Sequence, residues 1–145
     1  MGKYISILLV LLMVIVPTLI YIVSIKSLST SGNIDSGGIL GSYTGLYLLG
    51  AVFAAISLCC SSYSGNAVVA FLISVFACLI LYFGFGGISK LPVFSGNADY
   101  YIEMLGIDFH YKSISRGVLD SRDIIYFASI IFLFLFITVK NIRNK

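Results

Sequence analysis

The sequence contains few charged residues. Asp, Glu, Lys and Arg make up 10% of the 145 residues, hydrophobic residues make up 59%, and the mean hydropathy is +1.06. Soluble domains usually carry roughly a quarter of charged residues, so this composition excludes an ordinary soluble domain. The net charge of +3 is too small and too dispersed to indicate a nucleic-acid partner. We interpret the chain as an integral membrane protein.

Residues that bind metals or act in catalysis are also scarce. The sequence has one histidine, His110, and three cysteines without CxxC spacing, so we predict no metal site and no cofactor. We interpret the cysteines as small apolar packing residues, with a redox-active Cys59 and Cys60 pair as the alternative. An intramembrane hydrolase using Ser42 or Ser64 with His110 is another hypothesis, but GSYTG lacks a serine in the middle of a GxSxG motif. We therefore predict no catalytic residues and no enzymatic activity.

Four apolar runs are long enough to cross a membrane as helices. They cover residues 4–25, 39–60, 67–85 and 122–139. A secretory signal peptide is the alternative for the first run, but the run is longer than a signal h-region and no A-x-A-like cleavage site follows it. Pro17 lies inside this run and predicts a kink. The sequence thus predicts an all-α integral membrane protein with one membrane domain over residues 1–145.

Turn-forming residues separate these runs. STSGN at residues 29–33 and SSYSGN at residues 61–66 both favour short loops. Because the second loop is tight, we expect the second and third spans to be antiparallel neighbours. Glycines at positions 84, 86 and 87, followed by Pro92, predict that the third span ends near residue 85.

Small residues recur at every fourth position along the second span. Gly37, Gly41 and Gly45 come first, and Ala51 and Ala55 repeat the spacing further along. Residues four apart share one face of a helix, and small side chains let a neighbouring helix approach closely. We predict that this glycine face is a helix-packing surface, either inside the bundle of this chain or at a seam between two copies.

Residues 88–121 are too polar to span a membrane and too apolar to form a free linker. They contain two short amphipathic patterns. Asn97 is a candidate cap for the first helix, Gly106 its stop, and Gly117 the stop of the second. The apolar stripes are Ala98, Tyr101, Ile102 and Leu105 in the first, and Tyr111, Ile114 and Val118 in the second. We predict a re-entrant or interfacial helical hairpin before the last span.

Charged residues are concentrated in this hairpin and at the start of the last span. Residues 36–89 contain no Asp, Glu, Lys or Arg. The candidate site residues are His110, Arg116, Gly117, Asp120, Arg122 and Asp123, with Asp108 and Lys112 beside them. Asp120 and Asp123 suit the N-terminus of the last span, and Arg116 is placed four residues before Asp120 to form an ion pair. The functional interpretation is a segment that orients the hairpin; the alternative is a solvated cap with snorkelling arginines.

Basic residues flank the first and last spans. In a four-span bundle, Lys3 lies on the same side as the basic residues of the C-terminal tail, which are Lys140, Arg143 and Lys145. Counts alone do not decide the orientation, because the opposite side holds five basic residues over a much longer stretch: Lys26, Lys90, Lys112, Arg116 and Arg122. Cytoplasmic flanks are enriched in Lys and Arg next to the spans, and this density predicts that both termini are cytoplasmic.

Three segments together resemble a known family. They are GNIDSGGILGSYTGLYLLG at residues 32–50, the turn SSYSGN, and residues 91–127, in which ISRGVLDSRDIIYF is the most specific run. The chain is similar to the C-terminal portion of the gliding motility-associated ABC transporter permease subunit, an ABC-2-type permease. The resemblance implies a multi-pass permease subunit of an exporter in the cell inner membrane, with the charged hairpin on the extracytoplasmic side.

The resemblance also implies partners. These are a cytoplasmic ABC ATPase subunit, a second permease subunit and the lipid bilayer. The ATPase is expected as a separate subunit because this chain lacks the GxxxxGK[ST] motif for nucleotide phosphates. The match begins near the middle of the family's chain, so two spans and a coupling helix are expected in an upstream permease half. We expect that half to cover Gly41 and Gly45, which this chain alone would leave open to lipid. A small structural or assembly membrane protein without transport activity is the alternative function.

Overall fold

Helices account for every regular element in the computed structural model, which describes residues 2–28, 35–91, 97–118 and 120–144. The elements are α1 (Gly2–Thr18), α2 (Ile20–Leu28), α3 (Ser36–Tyr63), α4 (Ala67–Leu79), a π-helical turn (Ile80–Gly84), α5 (Phe85–Ser89), α6 (Asn97–Met104), α7 (Ile107–Ser115) and α8 (Ser121–Arg143). Four segments are long and apolar enough to span a membrane: Gly2–Leu28, Ser36–Tyr63, Ala67–Ser89 and Ser121–Arg143. The all-α fold with four candidate spans is therefore confirmed. The expected turn at residues 29–33 and the break at Pro92 lie outside the described residues.

Pro17 divides the first span into α1 and α2. Leu19 lies between the two helices, as expected where proline removes a backbone donor. The Ile22 amide donates to the Leu19 carbonyl over 3.0 Å, and the Thr18 carbonyl accepts a 2.9 Å hydrogen bond from the Tyr43 hydroxyl of α3. The helix is interrupted at Leu19, two residues after Pro17, and a side chain of the neighbouring span satisfies a carbonyl at the break.

The glycines of the third span do not end the helix, so this prediction was wrong. α4 continues through the π-helical turn into α5, which ends at Ser89. A glycine inside a helix costs about 1 kcal/mol relative to alanine, which weakens a helix without stopping it. Packing supports this segment: α6 contacts α5, and a Cβ added to Gly106 would lie 3.3 Å from Phe85 Cβ.

α3 is the central helix of the bundle. It contacts α1, α4, α7 and α8, and four of its buried residues belong to two hydrophobic clusters. The main cluster consists of Val52, Ile56, Ile107, Ile114 and Phe127. The second consists of Tyr4, Ala54 and Ala55. Outward-facing side chains of α1, α4 and α8 are apolar and exposed, as expected for surfaces that face lipid.

α6 and α7 form a hairpin that packs onto one end of the bundle, called the hairpin end below. The opposite end, at the start of α1 and the end of α8, is the terminal end. α7 contacts α3, the π-helical turn and α8, whereas α6 contacts α5 and α7. The expected apolar stripes are only partly correct, because Tyr101, Leu105 and Val118 are exposed. The buried face of α7 consists of Ile107, His110 and Ile114, which follow a helical i, i+3, i+7 spacing.

Candidate functional site

His110 and Asp123 form a buried hydrogen-bonded pair between α7 and α8, which is an ion pair when the imidazole is protonated. The imidazole Nδ1 lies 2.6 Å from Asp123 Oδ1, and each residue is only 4% exposed. The other ring nitrogen, Nε2, lies 2.9 Å from the carbonyl oxygen of Met104 at the end of α6. A single side chain therefore joins α6, α7 and the first turn of α8.

Both ring nitrogens of His110 face hydrogen-bond acceptors. A neutral imidazole donates from one nitrogen only, whereas the imidazolium donates from both. The doubly protonated ring therefore satisfies the Met104 carbonyl and the Asp123 carboxylate together, and its bond to the carboxylate is charge-assisted. An isolated charge buried here would be costly, so the arrangement is favourable only when both partners are present.

Tyr126 completes the surroundings of the imidazole. Its ring stacks on His110 with centroids 3.9 Å apart and planes inclined by 25°, and its hydroxyl donates to the Leu105 carbonyl. A ring face beside an imidazolium adds a cation–π attraction. In contrast, Asp123 Oδ2 is buried without a hydrogen-bond partner among the described residues. A buried acceptor without a partner is destabilising.

The local sequence explains why these two side chains meet. His110 lies on the buried face of α7, and Gly117 follows the helix with φ +83°, a conformation that favours glycine. The Asp120 carboxylate then accepts a 3.1 Å hydrogen bond from the Arg122 amide and caps α8. This start places Asp123 in the first turn of α8, against α7.

The ion pair expected between Arg116 and Asp120 is not formed. In the described part of the chain, the ion pairs are the buried one above and a surface pair between Lys112 and Asp108. Asp120 caps α8 instead, because its carboxylate is turned toward the first amides of that helix. Arg116, Asp120 and Arg122 are all exposed, so the solvated cap describes these three residues.

The hairpin covers the glycine face of α3. A Cβ added to Gly41 would lie 2.4 Å from the Ile114 carbonyl oxygen and 2.7 Å from Gly117 Cα. A Cβ on Gly45 would lie 3.2 Å from Ile114 Cγ2, and one on Gly117 would lie 2.8 Å from the carbonyl carbon of Gly37. Gly41 and Gly45 therefore pack inside the bundle of this chain, whereas Gly37 is exposed. The expectation that Gly41 and Gly45 lie open to lipid was wrong, because α7 fills the groove that they form.

The serines considered for a hydrolase are not bonded to His110. Ser42 Oγ donates to the carbonyls of Gly38 and Ser115, whereas Ser64 lies at the terminal end and contacts Asn66. Within the described ranges there is no group of three or more His, Cys, Asp or Glu side chains that could hold a metal ion. The contacts of His110 and Asp123 therefore connect α6, α7 and α8 to one another.

Sequence reasoning identified both members of the buried pair but did not join them. It paired Arg116 with Asp120 because residues four apart are neighbours on a continuous helix, whereas the chain here leaves the helix between α7 and α8. A useful signal was present: His110 and Asp123 are polar residues at positions where helical spacing places them among buried apolar residues. Nothing in the sequence indicated the π-helical turn.

Comparisons with known proteins find no family model that matches this chain, and no matching curated protein or solved structure. Its function is therefore inferred from its own residues and geometry, together with the sequence resemblance described above.

Proposed function

We propose that this chain is a transmembrane permease subunit of an ABC-2-type exporter associated with gliding motility, located in the cell inner membrane. The resemblance of residues 32–50 and 91–127 to that family supports the proposal, as does the bundle of four apolar helices. In this proposal the chain is not itself an enzyme, and a separate cytoplasmic ABC ATPase subunit hydrolyses ATP.

The observation that carries the proposal is the docking of the hairpin on the bundle. α7 lies in the glycine groove of α3, and the buried ion pair joins it to α8. A gate needs an element that is held in one defined position and is released when a small set of contacts breaks. The hairpin has both properties, because its deepest polar attachment to α8 is one ion pair. We therefore assign the hairpin as the gate of the export path.

Charge distribution supports an orientation with both termini in the cytoplasm. All six acidic residues of the chain lie at the hairpin end. The described charged residues toward the terminal end are Lys3, Lys140 and Arg143. The hairpin end also holds five basic residues, but over a longer stretch of chain. The basic residues of the terminal end lie directly beside the spans, where Lys and Arg favour the cytoplasmic side, so the hairpin would face outward.

The proposed partners are the ATPase and a second permease subunit or an upstream permease half. Tyr4 is the buried residue of α1, so most of the surface of α1 is free to face lipid or another permease helix. At the terminal end, α3 and α4 are joined by residues 64–66, which are too few for a helix that docks on an ATPase. Contact with the ATPase is therefore assigned to the partner permease segment.

Affinity purification after co-expression tests this proposal. We expect the ATPase to co-purify with the tagged chain when the second permease or upstream half is also present, and not with the chain alone. Asp123→Ala should lower transport-coupled ATP hydrolysis, whereas Lys112→Ala, which breaks the exposed pair of the same hairpin, should not. Failure to recover the ATPase with the complete set would contradict the proposal and favour a structural or assembly protein without transport activity.

A further inference from the structure

The terminal end of the bundle carries basic charge without an acidic residue beside it. The six Asp and Glu side chains of the chain are Asp35, Asp99, Glu103, Asp108, Asp120 and Asp123, all at the hairpin end. Lys140 and Arg143, in the last turns of α8, are exposed, and among the described residues no carboxylate lies within ion-pair distance of them. This end is therefore complementary to an anion.

A cleft of about 400 Å³ opens at this end between the last turns of α8 and the end of α3. Asn141 fixes one wall, because its side-chain amide donates to the Ser62 carbonyl oxygen over 2.8 Å and to Ser62 Oγ over 3.0 Å. The lining residues are Tyr63, Phe136, Ile137, Lys140, Asn141 and Asn144. The cleft thus combines a cation, amide and hydroxyl donors and an apolar surface.

The apolar surface continues along α8 away from Lys140. Phe132, Phe136 and Lys140 are four residues apart and therefore share one face of the helix. The two phenyl rings lie nearly parallel, with planes inclined by 21° and centroids 6.3 Å apart, and they are 73% and 61% exposed. A flat aromatic strip thus leads from the lysine into the span.

We propose that this cleft binds an anionic phospholipid, with the headgroup phosphate at Lys140 and one acyl chain along Phe136 and Phe132. A phosphate accepts hydrogen bonds from an ammonium, a phenol and an amide, and Lys140, Tyr63 and Asn144 supply these groups. Basic residues beside a span attract anionic headgroups. A zwitterionic choline lipid is a poorer ligand, because its quaternary ammonium is repelled by Lys140 and Arg143.

Native mass spectrometry of the full chain in detergent, titrated with phosphatidylglycerol or phosphatidylcholine, tests the site. We expect phosphatidylglycerol to bind more tightly. Lys140→Gln should weaken phosphatidylglycerol binding about five-fold and remove most of the preference between the lipids. Phe136→Ala should weaken both lipids, since each has an acyl chain. Lys26→Gln, a matched change of an exposed lysine at the hairpin end, should leave binding unchanged.

Three results would overturn the lipid site. Equal binding of the two lipids would show that the headgroup charge is not recognised. Equal losses in Lys140→Gln and Lys26→Gln would show that only the overall charge matters. Displacement of the lipid by equimolar inorganic phosphate would assign the cleft to a soluble anion.

Discussion

At the scale of single residues, the hairpin contains two ion pairs in different surroundings. His110 and Asp123 are buried, whereas the side chains of Lys112 and Asp108 are 56% and 23% exposed. Water screens an exposed pair, which contributes about 0–1 kcal/mol. Removal of the carboxylate beside a buried imidazole leaves a ring nitrogen without a hydrogen-bond partner, which costs about 1–3 kcal/mol. The two pairs of α7 thus allow the loss of a buried partner to be compared with the loss of an exposed one.

We expect Asp123→Ala to lower the free energy of unfolding by about 1–3 kcal/mol, because the buried imidazole of His110 loses a hydrogen-bond partner. Lys112→Ala, which breaks the exposed pair, should lower it by less than about 1 kcal/mol. Titration of the protein from mild micelles into SDS, followed by circular dichroism, measures both. The double variant His110→Leu/Asp123→Leu should be less destabilised than Asp123→Ala, since it leaves no buried polar group without a partner. Similar losses for Asp123→Ala and Lys112→Ala would argue against a special role for the buried pair.

At the scale of helices, the distance between backbones decides which glycines cannot be replaced by alanine without moving a neighbouring helix. The neighbours of Gly41 are backbone atoms of α7 and Gly117, which cannot move without shifting the hairpin. A Cβ on Gly50 would lie 2.6 Å from Cδ2 of Leu11, the end of a flexible side chain of α1. A Cβ on Gly86 meets nothing within 4 Å. Replacement of these three glycines by alanine therefore gives a series in which the steric conflict decreases from Gly41 to Gly50 to Gly86.

We expect Gly41→Ala to lower the free energy of unfolding by about 1–3 kcal/mol, as overpacking against a rigid neighbour does. Gly50→Ala should cost less, because Leu11 can change its rotamer. Gly86→Ala should be neutral or stabilise the helix by up to about 1 kcal/mol, since alanine favours helix. The same SDS titration gives the order. If Gly41→Ala costs no more than Gly50→Ala, the close contact between α3 and α7 is not present.

The sequence predicts some helices well because hydropathy measures the property that selects a membrane span. All four spans and the interruption after Pro17 follow from composition and a missing backbone donor. Prediction from the sequence fails where a contact between residues far apart in the chain decides the local structure. The glycines near residue 85 remain helical because α6 packs against α5, and Asp120 turns to the amides of α8 although Arg116 precedes it by four residues. The partner of His110 depends on how two helices meet, which local spacing does not specify.

At the scale of the whole molecule, charge and architecture separate the two ends of the bundle. The hairpin end holds all the acidic residues and the buried pair, whereas the terminal end holds basic residues and the cleft beside Lys140. The proposed permease uses these ends differently, with the gate outside and the basic end against the cytoplasmic leaflet. Orientation is therefore the claim on which the gate and the export function both depend.

Single-cysteine labelling tests this orientation most directly. In a background where Cys59, Cys60 and Cys78 are replaced by alanine, Val118→Cys places a thiol at a position that is 60% exposed on the hairpin end. Asn144→Cys places one on the exposed terminal end. An impermeant maleimide should label Val118→Cys in intact cells and Asn144→Cys only after the membrane is permeabilised. Labelling of Asn144→Cys but not Val118→Cys from outside would contradict the account.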